Sequence, residues 1–287
     1  MSILTAFIAL GGLTLLLALL LVVANKKLYV YEDPRIDQVD NMLPHANCGA
    51  CGFPGCRPFA EALVAQKTAP SKCTVNTEEG KQAIAAYLGV ASGAEEKRVA
   101  RLACGGGDNV AYRNAQYRGM TSCQASALVA GGDKDCTWGC LGLGDCAVSC
   151  TFGAIEMDAN GLPRVNEDKC TACGDCVDAC PKGLFSIELA ENRLWINCKS
   201  KKEGDEVLTA CQVGCTACGK CVMDAAGLIH MQDNLPVIDY QKGQLTQEPM
   251  QRCPTGAIVW LDKEKGIVKG EGAKKIIRKE ALGNHCS

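Results

Sequence analysis

The sequence is poor in most features that would announce a substrate. Aromatic residues are sparse, with three Trp, six Tyr and five Phe, and only three His are present. The formal net charge of −2 provides no overall attraction for nucleic acid or for an acidic partner. No G-x-G-x-x-G opens a helix after a strand, so flavin and nicotinamide binding have no fingerprint. The glycine run Gly105–Gly107 leads into Asp108, without the Lys-Ser/Thr ending of a phosphate loop. No side chains are grouped in a way that suggests a catalytic site. The abundant residue is cysteine, 21 in 287, far above ordinary usage. Disulfides would explain that number only in an oxidising compartment.

The densest cysteine run is Lys169–Pro181. Cys170, Cys173, Cys176 and Cys180 stand at C-x2-C-x2-C-x3-C-P spacing, the run that holds cubane iron–sulfur clusters. Thiolates three residues apart let one loop wrap three corners of a 4Fe–4S cube, while the later cysteine ligates a neighbouring cluster. Pro181 fixes the turn because its ring locks φ. Zinc is the competing metal, but its sites use separated cysteine pairs and have no need of a triplet.

At the N-terminus, Ile3 to Ala24 carries no charge and as a helix is about 33 Å long, enough to cross the hydrocarbon core. A cleaved signal would place basic residues before a shorter apolar stretch. Here Lys26, Lys27 and Arg35 follow it, and Tyr29 and Tyr31 occupy interfacial positions. The positive-inside bias puts everything after Lys26 in the cytoplasm. Thiols there stay reduced, so metal or clusters explain the cysteines better than disulfides. The cell inner membrane is the expected location, with a single pass and the soluble part in the cytoplasm.

After Asp33-Pro34 a helix is expected over Arg35–Leu43, leading to Cys48-Gly-Ala-Cys51-Gly-Phe-Pro-Gly-Cys56, with Cys73 further on. Helices over Arg57–Lys67 and Thr77–Gly89 follow from their apolar spacing. The C-x2-C-x4-C triplet again favours a cubane over a four-cysteine zinc site. His45 reads as a polar loop residue beside a site that thiolates already complete. The order of membrane helix, Asp-Pro, this cysteine motif and then ferredoxin-type runs resembles the B subunit of the Rnf complex, over nearly the whole chain. The resemblance implies a cytoplasmic subunit of an ion-translocating ferredoxin:NAD oxidoreductase that exchanges electrons with soluble ferredoxin. It also implies the other Rnf subunits, membrane and NADH-binding, as partners.

Cys136, Cys140, Cys146 and Cys150 precede the opening run, with Leu143 where the regular pattern has cysteine. Cys136, one helical turn before Cys140, is the natural substitute. Crossover then pairs Cys136, Cys140, Cys146 and Cys180 on one cluster and Cys150, Cys170, Cys173 and Cys176 on the other. Ala154–Met157 and Leu184–Leu189 read as strands of a ββ-paired ferredoxin core. The pattern then repeats. Cys211, Cys215, Cys218 and Cys221 align with Cys136, Cys140, Leu143 and Cys146, and Cys253-Pro aligns with Cys180-Pro. Ala225, Gly243, Thr246 and Pro249 occupy the slots of one whole cluster. The second module therefore retains a single cluster on Cys215, Cys218, Cys221 and Cys253. Cys104, Cys123, Cys198 and Cys211 remain for a possible fifth cluster, and the sequence leaves Cys104 and Cys123 open between ligands and buried thiols. Cys286 reads as free.

The expected fold is α+β: a transmembrane anchor (1–26), a four-cysteine 4Fe–4S domain (27–90), a linker (91–132), a two-cluster ferredoxin module (133–195), a degenerate one-cluster module (196–262) and a charged tail (263–287). The function expected is that of an electron wire bearing four or five 4Fe–4S clusters, with NAD chemistry and ion pumping left to partner subunits. Two alternatives use the same residues: an electron-transfer subunit of another membrane oxidoreductase, and a membrane-tethered zinc adaptor.

Overall fold

The first charge-free run forms a helix, the only way a single segment can satisfy its own backbone polar groups in lipid. In the computed structural model, which describes residues 3–28 and 32–282, α1 (Ile3–Leu28) is long and apolar enough to cross a membrane. Its Leu10, Leu15 and Leu21 side chains are exposed, as a lipid-facing surface requires. Lys26 and Lys27 fall in its last turn, where cations complement the helix dipole. Tyr29, Tyr31 and Cys286 lie outside the described residues.

The chain divides into two compact units, Met1–Asn47 with Phe53–Pro70 and Asn76–Ser92, and Cys48–Gly52 with Ser71–Val75 and Gly93–Ser287. The smaller unit is helical. Asp33 caps α2 (Pro34–Asn41) by accepting from the Arg35 amide, with Pro34 in the first turn where its missing N–H costs nothing. α3 (Cys56–Val64) packs against α2, and Arg57 spans both Glu32 and Asp37. Thr77 caps α4 (Glu78–Leu88), which ends at Gly89 in the left-handed region. Val39, Phe59, Leu63 and Ile84 form the buried side of this unit. Phe53 lies 5.5 Å from Phe59, ring centre to ring centre.

The larger unit is built twice from one plan. β1 (Arg98–Leu102) pairs antiparallel with β4 (Phe185–Leu189), Val99 opposite Glu188. The chain between them holds the hairpin β2 (Ile155–Met157) with β3 (Pro163–Val165), and three short helices, α5 (Cys123–Leu128), α6 (Asp145–Val148) and α7 (Asp175–Ala179). The plan then recurs. β5 (Leu194–Ile196) pairs with β8 (Ile258–Asp262), enclosing α8 (Gly204–Ala210), α9 (Lys220–Asp224), the hairpin β6 (Ile229–Gln232) with β7 (Leu235–Ile238), and α10 (Glu248–Gln251). Asp233 and Asn234 make the β6–β7 turn with φ of +50° and +63°, the two-residue geometry that matches strand twist. β9 (Gly266–Lys269) adds to the free edge of β8.

Three sequence boundaries are corrected by this topology. The segment 91–132 is more than a linker, because it supplies β1, the strand that closes the first module, and α5. The division after residue 195 cuts β5 in two. The tail is no free end: β9 pairs with β8, the Arg278 carbonyl accepts from Asn109 and the Leu282 amide donates to the Asp108 carbonyl. The strands at Ala154–Met157 and Leu184–Leu189 form close to their expected places, but each pairs with a different partner, β3 and β1.

The cores are small and include sulfur. Ala100, Ile155 and Phe185 pack with Cys146 and Cys176, and Leu194, Ile229, Met250 and Ile258 pack with Cys253. The modules meet where the Trp195 indole donates to the Leu102 carbonyl at 2.7 Å. Arg101, 7% exposed, holds the first module from inside. It donates to Glu167 at 2.6 Å and to the Ala190 carbonyl at 3.2 Å. Arg101→Met should cost about 3–5 kcal/mol by stranding the Glu167 carboxylate, and adding Glu167→Met should restore most of it. Anaerobic chemical denaturation of the two variants measures both effects.

Candidate metal centres

Sequence triplets of the same spacing fold here into loops of the same shape. After Cys170, Ala172 and Gly174 take φ of +57° and +97°; after Cys215, Ala217 and Gly219 take +56° and +71°. After Cys140 the matching positions are Gly142 and Gly144, at +76° and +86°. A left-handed alanine is strained by about 1–2 kcal/mol, so its recurrence at one position marks a shape that the surroundings hold in place. Each loop runs straight into a short helix carrying the next cysteine: Cys176 in α7, Cys221 in α9 and Cys146 in α6.

The thiols gather around four cavities in the larger unit. Cys150, Cys170, Cys173 and Cys176 line the first. The Ala100 amide donates to Cys170 Sγ at 3.4 Å and the Ala154 amide to Cys150 Sγ at 3.3 Å. Cys215, Cys218, Cys221 and Cys253 line the second. Cys218 is the one exposed cysteine among the described residues.

The third cavity corrects the sequence reading. Its thiols are Cys123, Cys140, Cys146 and Cys180, so Cys123 stands where Cys136 was expected. The cause is a clip made by Asp145. Its carboxylate accepts from the Ser122 hydroxyl at 2.9 Å, the Cys123 amide at 2.8 Å and the Gln124 amide at 3.0 Å. Burial alone would raise the Asp145 pKa, but these hydrogen bonds outweigh it and hold the carboxyl below its usual range. The clip fastens α5 to the start of α6, beside Cys146.

Cys136 is drawn the other way. It sits in a turn and not one helical turn before Cys140. The residues just before it are bound to the segment 112–114: the Asp135 amide donates to the Tyr112 carbonyl at 3.0 Å, and the Asn114 amide to the Asp133 carbonyl at 2.9 Å. Arg113 adds ion pairs to Asp108 and Asp133. Cys136 then lines a fourth cavity with Cys104, Cys198 and Cys211. The leftover set read from sequence therefore exchanges one member, Cys123 for Cys136. No spacing motif marks Cys123. Its local signal is a Ser122 cap followed by a short helix, which says nothing of Asp145.

Of the first cysteine group, Cys48, Cys51 and Cys73 belong to the larger unit and Cys56 to the smaller. In the larger unit the Thr74 hydroxyl donates to the Thr171 carbonyl at 2.6 Å, within the Cys170–Cys173 loop. In the smaller, the Cys56 amide donates to Asn47 Oδ1 at 2.8 Å. His45 lies in a loop with its ring 3.8 Å from Asp40.

None of the described cysteines forms a disulfide. Burial pushes the thiols of Cys140, Cys146, Cys176, Cys211 and Cys215 up to about 12, and those of Cys136 and Cys221 to about 11, with neighbouring sulfurs adding to the effect. A mononuclear zinc site would bring four sulfurs to within about 2.3 Å of one point. Among the described residues no three His, Cys, Asp or Glu side chains converge in that way. The sulfurs surround cavities instead, a donor set that fits a polynuclear cluster.

Comparison with known proteins agrees with this chemistry. A family model described as "Putative Fe-S cluster" matches residues 43–75, and one described as "4Fe-4S dicluster domain" matches residues 135–184. The chain is 37% identical over 277 residues to the B subunit of the proton-translocating ferredoxin:NAD(+) oxidoreductase complex of Clostridium ljungdahlii, covering 94% of each chain. It is 36% identical over 250 residues to the B subunit of the Na(+)-translocating ferredoxin:NAD(+) oxidoreductase complex of Acetobacterium woodii, covering 87% of this chain and 75% of that one. The B subunit of the ion-translocating oxidoreductase complex of Methanosarcina acetivorans is 36% identical over 250 residues, covering 87% and 95%.

Cys123→Ser should cost about four irons per chain, the content of one cubane. Asp145→Ala, which frees Cys123, should lower iron retention at the same site; anaerobic iron and sulfide analysis reads both. Acid should act on every site. The metal-free thiols bind protons that iron must displace, so lowering the pH from about 7 to about 5 should speed cluster loss, followed by the fading of visible absorption.

Proposed function

The chain belongs to the family of B subunits of ion-translocating ferredoxin:NAD(+) oxidoreductase complexes, and from that membership we propose that it is the subunit through which reduced ferredoxin delivers electrons to the rest of the assembly. It is an iron–sulfur electron-transfer subunit that carries 4Fe–4S clusters, associated with the membrane, with other subunits of the complex as partners. The finer reading is supported above all by the three cavities of the larger unit that each gather four thiols, most of them at ferredoxin spacing.

In this reading Cys150, Cys170, Cys173 and Cys176 hold one cluster, and Cys123, Cys140, Cys146 and Cys180 a second. Cys215, Cys218, Cys221 and Cys253 hold a third, and Cys48, Cys51, Cys56 and Cys73 a fourth. Each bound cluster supplies one-electron chemistry. The protein's part is to fix the iron with thiolates, exclude water and tune the sulfurs. Amides of Ala100, Ala154 and Leu184 donate to cysteine sulfurs, and such bonds favour the more negative, reduced state. No proton need move, and no residue acts as an acid or base. Cys218 lines its cavity and is exposed, which leaves that site accessible to a docked ferredoxin.

The lysines after the apolar stretch of α1 support a cytoplasmic location for everything that follows. Lipid contact falls to α1. The coupling ion and the NAD chemistry belong to the other subunits.

Mixing the anaerobic, oxidised protein with an equal amount of reduced ferredoxin in a stopped-flow instrument should bleach its visible absorption. Colourless protein containing zinc would overturn the whole reading. Iron-loaded protein that dithionite reduces but ferredoxin does not would remove the ferredoxin assignment alone. In right-side-out vesicles the larger unit should resist added protease and become cleavable when the vesicles are inverted.

A further inference from the structure

Cys104, Cys136, Cys198 and Cys211 are spread over more than a hundred residues with no common motif, yet they line one cavity. Four separate pieces of chain bring them there. Cys104 follows the end of β1, Cys136 is in the turn tied to residues 112–114, Cys198 follows β5, and Cys211 ends α8 opposite Ala111 in an isolated bridge. Cys211 is buried and the other three are partly buried, and four thiols brought to one cavity from four elements form a donor set of the same size as those at the other sites.

The surroundings are shaped for a charged occupant. Gly106 approaches so closely that a Cβ there would lie 3.1 Å from Cys211 Sγ and 3.7 Å from Cys104 Sγ. The Lys134 side chain, 1% exposed, lines the same cavity and donates to the Gly106 carbonyl at 2.6 Å, with Asp108 at 3.7 Å. A buried ammonium places a positive charge beside a cavity lined by four sulfurs, which complements an anionic thiolate-bound occupant. Two hydrogen bonds connect the cavity to its neighbours. Cys104 Sγ accepts from the amide of Cys140 at 3.4 Å, and Cys198 Sγ accepts from the amide of Cys215 at 3.3 Å. Cys140 belongs to the two-cluster module and Cys215 to the one-cluster module.

We propose that Cys104, Cys136, Cys198 and Cys211 hold a fifth 4Fe–4S cluster, and that this site is the link by which single electrons pass between the two ferredoxin-like modules. The proposal rests on the iron–sulfur reading of the other sites. One electron arrives from a reduced neighbour and one leaves to an oxidised neighbour, with no bond made or broken and no proton transferred. The folded module pair explains why all the described cysteines fall into sets of four once Cys123 and Cys136 exchange places.

The test is iron and acid-labile sulfide per chain in the full-length, anaerobically purified protein, with a redox titration followed by electron paramagnetic resonance. Wild type should carry about twenty irons, and Cys198→Ser and Cys211→Ala should each carry about sixteen, with one reduction wave lost and the rest retained. After a pulse of reductant, Cys198→Ser should also lose the fast phase of electron redistribution between the modules. Should either variant fail to fold, the wild-type count decides. A wild-type protein with about sixteen irons, or variants with the full wild-type content, would overturn the fifth site and leave the other four standing. Wild type without iron or labile sulfide would overturn both readings.

Discussion

Sulfur anions gathered out of water are the constraint on which everything else in the larger unit depends. A thiol ionises near pH 8.5 in water, by the usual value of about 8.5 for free cysteine, whereas burial drives Cys140, Cys146, Cys176, Cys211 and Cys215 to about 12. Four cysteine sulfurs around one cavity can all be ionised only if cations sit among them. Iron meets that need, and the charge that makes the site unfavourable when empty makes it bind tightly when loaded. Protonated, the same cysteines behave as small hydrophobes, which is how Cys146, Cys176 and Cys253 come to be members of the apolar cores. Core and cofactor site are therefore the same residues, and large aromatic side chains are not needed to fill the interior.

The two modules share one plan although their cysteines differ in number. In each, a first strand pairs with the last and encloses a hairpin: β1 with β4 around β2–β3, and β5 with β8 around β6–β7. Hydrogen-bonded strand pairing closes the second module although Ala225, Gly243, Thr246 and Pro249 stand where one cluster's ligands would be. Leu228, Ile229 and Met250 pack in the core of that module. The loop shape after Cys170 and Cys215, with a left-handed alanine in each, accompanies the same local sequence, Cys-Thr-Ala-Cys-Gly, in both modules.

Local features were legible and distant pairings were not. α2, α3 and α4 lie within a few residues of their expected spans because apolar spacing, Pro34, Thr77 and Gly89 act over single turns. β1 was hidden in a segment that reads as charged linker. Arg98 and Arg101 look solvated, yet Arg101 is buried against Glu167 and the Ala190 carbonyl, partners far along the chain. β9 was hidden likewise among the lysines of the tail.

The sequence by itself determined the chemistry and the membrane segment. Cysteines three apart constrain a loop to wrap a cube whatever surrounds them, and an uncharged helix of this length needs no partner to be read. Only the tertiary structure decided between Cys123 and Cys136. The Asp145 carboxylate draws Cys123 to Cys146 from 22 residues away in sequence, while backbone bonds to Tyr112 and Asn114 turn the Cys136 segment toward Cys104, Cys198 and Cys211. Spacing encodes ligands that share a loop. Ligands brought from separate elements are encoded in hydrogen bonds that exist only once the chain has folded.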